Sequence, residues 1–575
     1  MSVDRVQGRG GVGGTHGDDP APLSTFAPLR HPAYRKVWLA AVVSNVGTFL
    51  QLTAAPWLMN QMTDSPLLVS LVTTALTLPR LFLTIPAGAL ADAFDRRNLM
   101  IFGNAISAVA TLAMALLAFG GSITPTVLLA LSFALGIGNA ITLPAQQTLV
   151  PDLVPAEMRA QAITLNSAAF NVARAVGPSL GGLLVAAGLT ATSFGLNAAT
   201  FVLVIGVLLR FPRQPAEDEG RGHLWRSAAL GVRYVRFTRP IRILIVLTGL
   251  FTLTATSVQT LLPSVTSDDL GLGASGFGLL YGTFGLGALV AVTSRERARR
   301  RLGAHMLPGA VTMFGMAGIG FGLALGPISA AVALAVCGVA WVWTLITLNA
   351  SIQTLAPRWV RGRVVSLYLL ALGLQPLGAF VAGALAEFVG SGRAVAVLCA
   401  GTTALGLFAF RVDLPVLGEI AEPVPPDDFS VPRHAVQVAG TPVMVSTTWQ
   451  VDPDQVEEFL VTLRELRRTR FRTGAQRWSL FRDADRPYRI TELFVVADWE
   501  EHLAQHARID SEAAAAIARA RSFDIGDGPL TRHLAGLDIL DPQAPSMSEQ
   551  LLTVHEQLHA TDGSVPLDPS DAPQG

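Results

Sequence analysis

Twelve long apolar segments lie between Val37 and Val412, and most of the charge around them falls in every second connection. A transmembrane helix needs about 20 predominantly apolar residues, and each segment is close to that length. The chain is 51% hydrophobic and only 15% charged, whereas a soluble domain is about 25% charged. These features predict an all-α polytopic membrane protein that sits in a lipid bilayer.

The apolar segments set the predicted spans. We place them at 37–58, 67–91, 98–119, 125–148, 162–188, 191–211, 241–263, 275–294, 304–324, 328–352, 364–389 and 392–411. The residues before them are polar and Gly-rich, without the apolar stretch and small-residue cleavage site of a signal peptide. We therefore expect residues 1–36 to form a disordered cytoplasmic arm.

Basic residues mark one side of the predicted bilayer. The N-terminal arm carries them, and so does every even-numbered connection, from Arg96 and Arg97 to Arg361 and Arg363. The odd-numbered connections carry none until Arg393. Because cytoplasmic loops are enriched in lysine and arginine, this pattern predicts a multi-pass inner or plasma membrane protein with both termini in the cytoplasm.

The chain also repeats itself after about 206 residues. The sequence QTLVP at Gln147–Pro151 returns as QTLAP at Gln353–Pro357. The repeat divides the spans into six-helix halves at 37–211 and 241–411, joined by a cytoplasmic loop at 212–240. Duplicated halves of this kind expose a central site alternately to the two sides of the membrane.

Two motifs resemble those of a known transporter family. Gly88–Asp92 (GALAD), followed by Asp95-Arg96-Arg97, resembles the signature between the second and third helices of the major facilitator superfamily. Gly177–Gly182 (GPSLGG) resembles the end of that superfamily's antiporter motif. The region 30–411 looks like the branch that contains the enterobactin exporter and drug efflux proteins. The resemblance implies the major facilitator fold and secondary active transport.

The resemblance also implies a gate at the cytoplasmic end of span two. There Asp92 would meet the N-terminus of span eleven, where the helix dipole and the nearby arginines favour a carboxylate. The gating motif would then consist of Gly88, Asp92, Arg96, Arg97, Arg361 and Arg363. The alternative is a loop whose arginines only fix the orientation of the protein.

Arg80 and Arg174 lie in the middle of predicted spans. A charge at the bilayer centre costs about 3 kcal/mol or more unless it faces water or a partner. Since no acidic residue lies deep in a span, we expect these arginines to use carbonyls, amides, water or an anionic substrate. Neutral polar residues in spans line a pathway or cross-link helices. The candidate pathway residues are Arg80, Arg174, Gln51, Asn171, Gln259, Asn349 and Gln375.

Glycine and proline in span five predict a bend and close helix packing, because proline removes a backbone donor and glycine has no side chain. This helix-bending motif consists of Gly177, Pro178, Gly181 and Gly182.

No sequence feature indicates a cofactor. The net charge is zero, which gives no electrostatic reason for nucleic-acid binding. The two cysteines, Cys337 and Cys399, cannot form a disulfide framework or a CxxC metal site. The phosphate-binding GxxxxGK[ST] loop of an ATPase is absent. We therefore expect an ion gradient, most simply of protons, to drive the transport of a small molecule.

Beyond the spans the composition changes. Residues 412–440 are Pro-rich and predict a linker, 441–540 predict a cytoplasmic domain, and 541–575 predict a disordered tail. The domain should contain strands at 443–451, 477–482, 488–496 and 533–540, with helices at 454–468 and 499–521. This βαββαβ order is that of a ferredoxin-like α+β fold. It resembles the dimeric α+β barrels of antibiotic-biosynthesis monooxygenases.

That resemblance implies a homodimer, with Trp449 and Phe481 as candidates for its buried face. His502 and His506 are four residues apart on one predicted helix, a spacing that suits a metal. Because no third ligand is apparent, we favour an ordinary polar helix face and predict no metal.

The leading hypothesis is an exporter of an amphipathic drug, antibiotic or siderophore. An importer or flippase of the same fold, moving a nutrient or a lysolipid, is the second. A membrane-anchored monooxygenase or binding module is the third, and turnover by the isolated region 441–540 would support it. We predict a transporter rather than an enzyme.

The arginine distribution makes a topology prediction. A reporter that is active only outside the cytoplasm should be silent when fused after Arg411 and active when inserted in the connection 264–274. Reporter activity in colonies that express matched amounts of each fusion measures this. The reverse pattern would overturn the orientation.

Overall fold

The computed structural model describes residues 26–210, 224–357, 359–412 and 442–536. Most of these residues are helical. The first half contains α1 Pro32–Met62, α2 Pro66–Ala93, α3 Arg96–Phe119, α4 Pro125–Asp152, α5 Arg159–Ala186 and α6 Thr190–Leu208. A connector helix, α7 Leu224–Phe237, joins this half to the next.

The second half follows the same plan with two interruptions. It contains α8 Arg239–Thr260, the short α9 Leu262–Ser264 with a π-helical turn Val265–Asp269, α10 Ala274–Leu302, α11 Met306–Gly322, α12 Pro327–Leu355, α13 Arg361–Leu372, α14 Gln375–Val389 and α15 Ser391–Ala409. Helices α13 and α14 together occupy predicted span eleven. Most of the predicted span limits agree with these helices to within a few residues.

Ten stretches of the described residues are long and apolar enough to cross a membrane. One of them, Ala274–Gly322, contains both α10 and α11. Helix α5 is not among the ten, and it carries Asn166, Asn171 and Arg174 in its length. Length and apolar composition by themselves therefore support a polytopic membrane protein with ten candidate spans.

Local chemistry explains where several helices begin. Proline, which has no backbone N–H to lose, is the first residue of α1, α2, α4 and α12. Helix α3 begins after Asp95, whose side chain accepts a hydrogen bond from the Asn98 N–H at 3.0 Å. The Arg97 guanidinium then donates to the Leu208 carbonyl at 2.7 Å. This bond ties the start of α3 to the end of α6.

The helix interruption lies in span eleven rather than in span five. Helix α5 runs continuously through Gly177 and Pro178, whereas α13 ends at Leu372 and α14 begins at Gln375. Pro376 is in the first turn of α14, and its ring cannot continue the hydrogen bonding of a preceding helix. Span eleven is therefore built from two helices.

Two predictions about segments outside the spans were wrong in part. Residues 26–36 are ordered, since α1 begins at Pro32 and the Tyr34 hydroxyl donates to the Ala162 carbonyl at 2.9 Å. The predicted loop 212–240 contains α7, in which Leu230 and Tyr234 are buried one helical turn apart. The remaining arm 1–25, the linker 413–440 and the tail 541–575 lie outside the described residues.

The C-terminal residues form one antiparallel sheet with helices on one side. The strands are β1 Val443–Gln450, β2 Arg477–Arg482, β3 Arg489–Val496 and β4 Leu530–Ala535, in the spatial order β2-β3-β1-β4. The helices are α16 Val456–Thr473, α17 Trp499–Ala507 and α18 Ser511–Arg521. The predicted helix 499–521 is thus two helices, because Asp510 starts α18 by accepting a hydrogen bond from the Ala513 N–H at 2.8 Å. Strand β4 lies earlier than the predicted 533–540.

Strand alternation separates the two faces of this sheet. Trp449 is only 2% exposed and packs edge-on against Phe459 of α16. Its predicted place in a dimer interface is therefore wrong, because the helices of its own chain already cover it. Phe481 and Leu534 lie on the other face and are 55% and 47% exposed. Within the described part of the chain, these large apolar side chains of the second face are left open.

Candidate transport pathway and gates

The bundle has two chemically different ends. At the arginine-rich end α1 begins at Pro32 and α13 begins at Arg361, and at the far end α1 stops at Met62 and α14 stops at Val389. The described hydrogen bonds between the two halves run from the far end to the break in span eleven. These contacts define a far gate.

Helices α1 and α9 form the first part of the far gate. The Asn60 side chain donates to Ser267 Oγ at 2.9 Å and accepts from Ser264 Oγ at 3.0 Å. One turn earlier on α1, Trp57 stacks on Phe277 of α10 with ring centroids 4.7 Å apart. Polar bonds and an aromatic stack therefore join the first half to the second.

Helices α2 and α14 form the second part. The Glu387 carboxylate accepts a hydrogen bond from Ser65 Oγ at 3.0 Å and one from the Leu67 N–H at 3.4 Å. Nearer the middle of the bundle, Thr74 Oγ1 donates to the Pro376 carbonyl at 3.3 Å. The described contacts between α2 and span eleven continue inward as far as Gly373.

Helices α5 and α10 form the third part, and here the glycine motif acts through close packing. A Cβ placed on Gly182 would lie 2.5 Å from the Gly278 Cα, a distance that only glycine permits. Gly177 and Gly181 face α1 in the same way, against Phe49 and Leu50. The motif therefore lets α5 pack closely against α1 of its own half and against α10 of the other half, as small residues do in membrane helix interfaces.

Arg80 lies on α2 near the inner limit of the far gate. The residue is exposed, with more than a third of its surface accessible. Its neighbour Leu81 reaches the interruption of span eleven, with its Cδ1 3.5 Å from the position of a Cβ on Gly373. Arg80 thus lies at the depth where the far gate ends. The side chains of Arg174 and Asn171 lie outside the described residues.

The neutral candidates fall into different environments. Gln51 is 1% exposed, accepts a hydrogen bond from Asn197 Nδ2 at 2.6 Å and contacts the Met114 sulfur at 3.0 Å. It therefore cross-links α1, α3 and α6 inside the first half and does not line a pathway in this conformation. Gln259 and Gln375 are half-buried, and Asn349 is exposed beside Gln353 on α12.

The predicted inner gate residues gather at the arginine-rich end. Gly88 and Asp92 are in the last turns of α2, but their side chains lie outside the described residues. Arg361 Nε donates to the Ala356 carbonyl at 3.1 Å, and Arg96 and Arg97 begin α3. Arg97 anchors α6, a structural role that the motif itself does not reveal.

Arg363 belongs to a larger contact that the sequence did not predict. A Cβ on Gly231 of α7 would lie 2.8 Å from the Arg363 Cβ, so the connector helix packs against α13. Tyr234 of α7 meets Trp359 edge-on at 5.4 Å. Helices α7 and α13 are thus held together at the arginine-rich end.

The C-terminal residues dock on this connector. Arg233 donates to the Gly474 and Ala475 carbonyls at 3.0 and 2.9 Å, and Phe237 stacks on Phe471 of α16 at 4.7 Å. The Arg508 guanidinium lies 4.4 Å from the Trp359 ring centroid. Burial lowers the pKa of Arg233, whereas the Glu501 carboxylate raises it. The docking surface is formed by helix ends, and the open sheet face takes no part in these contacts.

A third histidine joins the pair that the sequence singled out. His502 Nε2 and His506 Nε2 are 3.3 Å apart, and the His533 ring of β4 lies 4.7 Å from that of His502. Burial, followed by the neighbouring histidines, lowers the pKa of His502 to about 3, and burial lowers the pKa of His506 to about 4. The His502 and His533 rings pack with Trp499. Among the described residues no group of three or more His, Cys, Asp or Glu is arranged to hold a metal ion.

Comparison with protein families and curated proteins gives one consistent result. The transmembrane secretion effector family matches residues 23–536. The multidrug efflux pump Tap of Mycobacterium tuberculosis is 30% identical over 426 residues, which cover 69% of this chain and 98% of Tap. The enterobactin exporter EntS of Shigella boydii is 29% identical over 347 residues, which cover 59% of this chain and 81% of EntS.

Solved structures show the same fold. The crystal structure of the nucleoside transporter NupG superimposes with a TM-score of 0.53 at 12% sequence identity, over 66% of this chain and 98% of NupG. The crystal structure of a D-xylose-proton symporter also gives a TM-score of 0.53 at 12% identity, over 67% of this chain and 98% of the symporter. At that identity the comparisons concern the arrangement of helices alone.

Proposed function

This chain belongs to the transmembrane secretion effector family of the major facilitator superfamily and is a transporter, not an enzyme, and we propose that it exports a small amphipathic molecule. Its relatives Tap and EntS are a multidrug efflux pump and an enterobactin exporter. The cargo class that we propose is therefore a drug, an antibiotic or a siderophore. Closure of one end by contacts between two separate halves supports alternating access.

We propose twelve spans, with α13 and α14 forming span eleven and with α5 counted as a span. An amphiphilic helix such as α5 tolerates its polar residues where it faces a pathway or a neighbouring helix. The arginine-rich end is cytoplasmic in this proposal, since basic residues favour that side. The far gate then closes the outer side of the membrane, and the halves are 37–211 and 241–411.

The inner gate that we propose pairs Asp92 with the start of α13. A helix N-terminus carries unpaired N–H groups and a partial positive charge, which favour a carboxylate. Arg361 and Arg363 begin α13, so they add full positive charge at the same place. The pairing belongs to the state in which the cytoplasmic side is closed, and it therefore sets the balance between the two states.

Arg80 is the residue that we propose to meet the cargo. Its guanidinium at mid-depth would attract anionic or catecholate-like groups, because arginine offers several donors in a fixed plane. Arg174 is its proposed partner on α5. No acidic residue lies deep in a span, so a proton taken up in exchange for cargo would have to bind nearer the ends of the helices or on the cargo itself.

The C-terminal residues form, in our proposal, a cytoplasmic ferredoxin-like domain at 441–540 that tunes transport. It docks through α16 and Arg508 and therefore moves with the second half. The face that carries Phe481 and Leu534 stays free for a second copy. Two such sheet faces packing together would bury apolar side chains that are exposed in one chain.

Export and the inner gate are tested together. Expression in a bacterium that lacks its own efflux pumps should lower the accumulation of amphipathic drugs. Asp92→Asn should reduce this efflux by about fivefold or more, since a carboxylate at a helix N-terminus stabilises by about 1 kcal/mol. Asp64→Asn, which removes an exposed acid at the far end, is the matched control. Full efflux by Asp92→Asn would contradict the gate, and unchanged accumulation with every drug would contradict export.

Cargo charge is tested at Arg80. Arg80→Gln and Arg174→Gln should weaken transport of anionic cargo several-fold more than that of neutral cargo, because each removes a positive charge from the pathway. Arg80→Lys keeps the charge and should retain most of the preference. Uptake of paired anionic and neutral dyes into inverted vesicles provides the measurement. Equal losses for both dyes would assign these arginines a structural role.

The C-terminal domain is tested by fragment and by truncation. The purified fragment 441–540 should scatter light as a dimer, and Phe481→Arg should make it a monomer, because a charge would then enter the open face. Gln476→Arg, a change outside the strands, serves as control.

A chain that ends before Val443 should still show measurable efflux. A monomeric wild-type fragment, or loss of all efflux by a stably inserted truncation, would contradict the respective claim.

A further inference from the structure

The first turn of α2 is completed by a residue of the other half. The turn has Pro66 at its start, which has no N–H, followed by the Leu67 and Leu68 amides, which cannot bond within the helix. Ser65 Oγ accepts the Leu68 N–H at 3.4 Å, as a serine cap does. The Leu67 N–H donates instead to the carboxylate of Glu387 on α14.

Glu387 binds the cap as well as the helix. The Ser65 hydroxyl donates to the same carboxylate at 3.0 Å while it accepts from Leu68. In a common capping arrangement the acid comes from the third residue of the same helix, but Leu68 occupies that position in α2. An acid 320 residues beyond Leu67 along the chain therefore completes the cap.

The symmetry of the fold relates this contact to the inner gate. Each six-helix half contains two inverted three-helix repeats, and the halves themselves are parallel repeats. Span two corresponds to span five turned over, and span five corresponds to span eleven. The inversion within one half, followed by the repeat between halves, therefore places span two on span eleven. The cytoplasmic end of span two then corresponds to the outer end of span eleven. Asp92 lies one residue before the end of α2, and Glu387 lies two residues before the end of α14.

We propose that Glu387 is the latch of the outer gate and the inverted counterpart of Asp92. Glu387 binds the N-terminus of α2 when the outer side is closed, and Asp92 binds the N-terminus of α13 when the cytoplasmic side is closed. The two contacts alternate, since each joins the same two spans at opposite ends. This inference rests on the proposed alternating access, but it concerns the gate and not the cargo.

A thiol reporter inside the outer gate measures the latch directly. Ser70 is fully buried beside Gly383 of α14, so Ser70→Cys places a thiol that only an open outer gate exposes. The two buried native cysteines are first replaced, as Cys337→Ala and Cys399→Ala. Whole cells are then labelled with a membrane-impermeant maleimide without any cargo.

Glu387→Gln should raise the labelling rate about two- to fivefold. Loss of one exposed carboxylate at a helix N-terminus shifts an equilibrium by about that factor, here the equilibrium between the closed and the open outer gate. Ser65→Ala should raise it similarly, and the double variant should add little, because both changes remove one shared interaction. Asp64→Asn is the control. It removes the carboxylate of the residue next to Ser65 in the chain but leaves the contact with Glu387 intact, so the labelling rate should stay unchanged.

A second reporter separates a latch from general loosening. Asn349→Cys places a thiol at an exposed position on the cytoplasmic half of α12. Its labelling in inverted vesicles should fall when Glu387→Gln shifts the population towards the outward-open state. Unchanged labelling at position 70, or increased labelling at both positions, would overturn the latch. Since no cargo is needed, a failure of drug export would leave this result intact.

Discussion

The absence of water in the bilayer core is the constraint on which this structure depends. Every backbone N–H and C=O must find a partner within the protein, and an α-helix provides such partners within a single segment. Helix ends and interruptions are then the places where unpaired groups remain. In this chain those places are the start of α2, the break between α13 and α14, and the end of α6. Each is also a point where the two halves, or two helices of one half, are joined.

The hydrogen bonds described between the halves are accordingly few. Asn60 with two serines, Glu387 with a helix start, the Trp57–Phe277 stack and one glycine crossing close the far gate. A transporter must pass between states of similar free energy. If the free-energy difference between the states shifted by a few kcal/mol, the protein would be held in one of them. Bonds that are each worth about 1 kcal/mol suit that requirement. The interface of α11 with α15 lies inside one half and need not break.

The C-terminal sheet is attached to the two halves through the connector. Arg233 and Phe237 of α7 and Trp359, two residues before α13, all contact the docked region. His502 on α17 packs against His533 of β4, and Arg508, which follows α17, reaches Trp359. A change in the C-terminal region therefore has a direct physical route, through Trp359 and α7, to α13.

The sequence by itself determined the helical membrane class and the family, and it predicted the limits of most helices and the order of strands in the C-terminal region. These follow from hydropathy, periodicity and motifs, which are properties of neighbouring residues. The tertiary structure alone decided which polar residues meet. Gln51 is paired with Asn197, 146 residues away, and Glu387 reaches Ser65 across 322 residues. Trp449 and Phe481 also looked equivalent until the register of β1 and β2 put them on opposite faces. Such partners are set by the packing of whole helices and strands, and no local pattern records them.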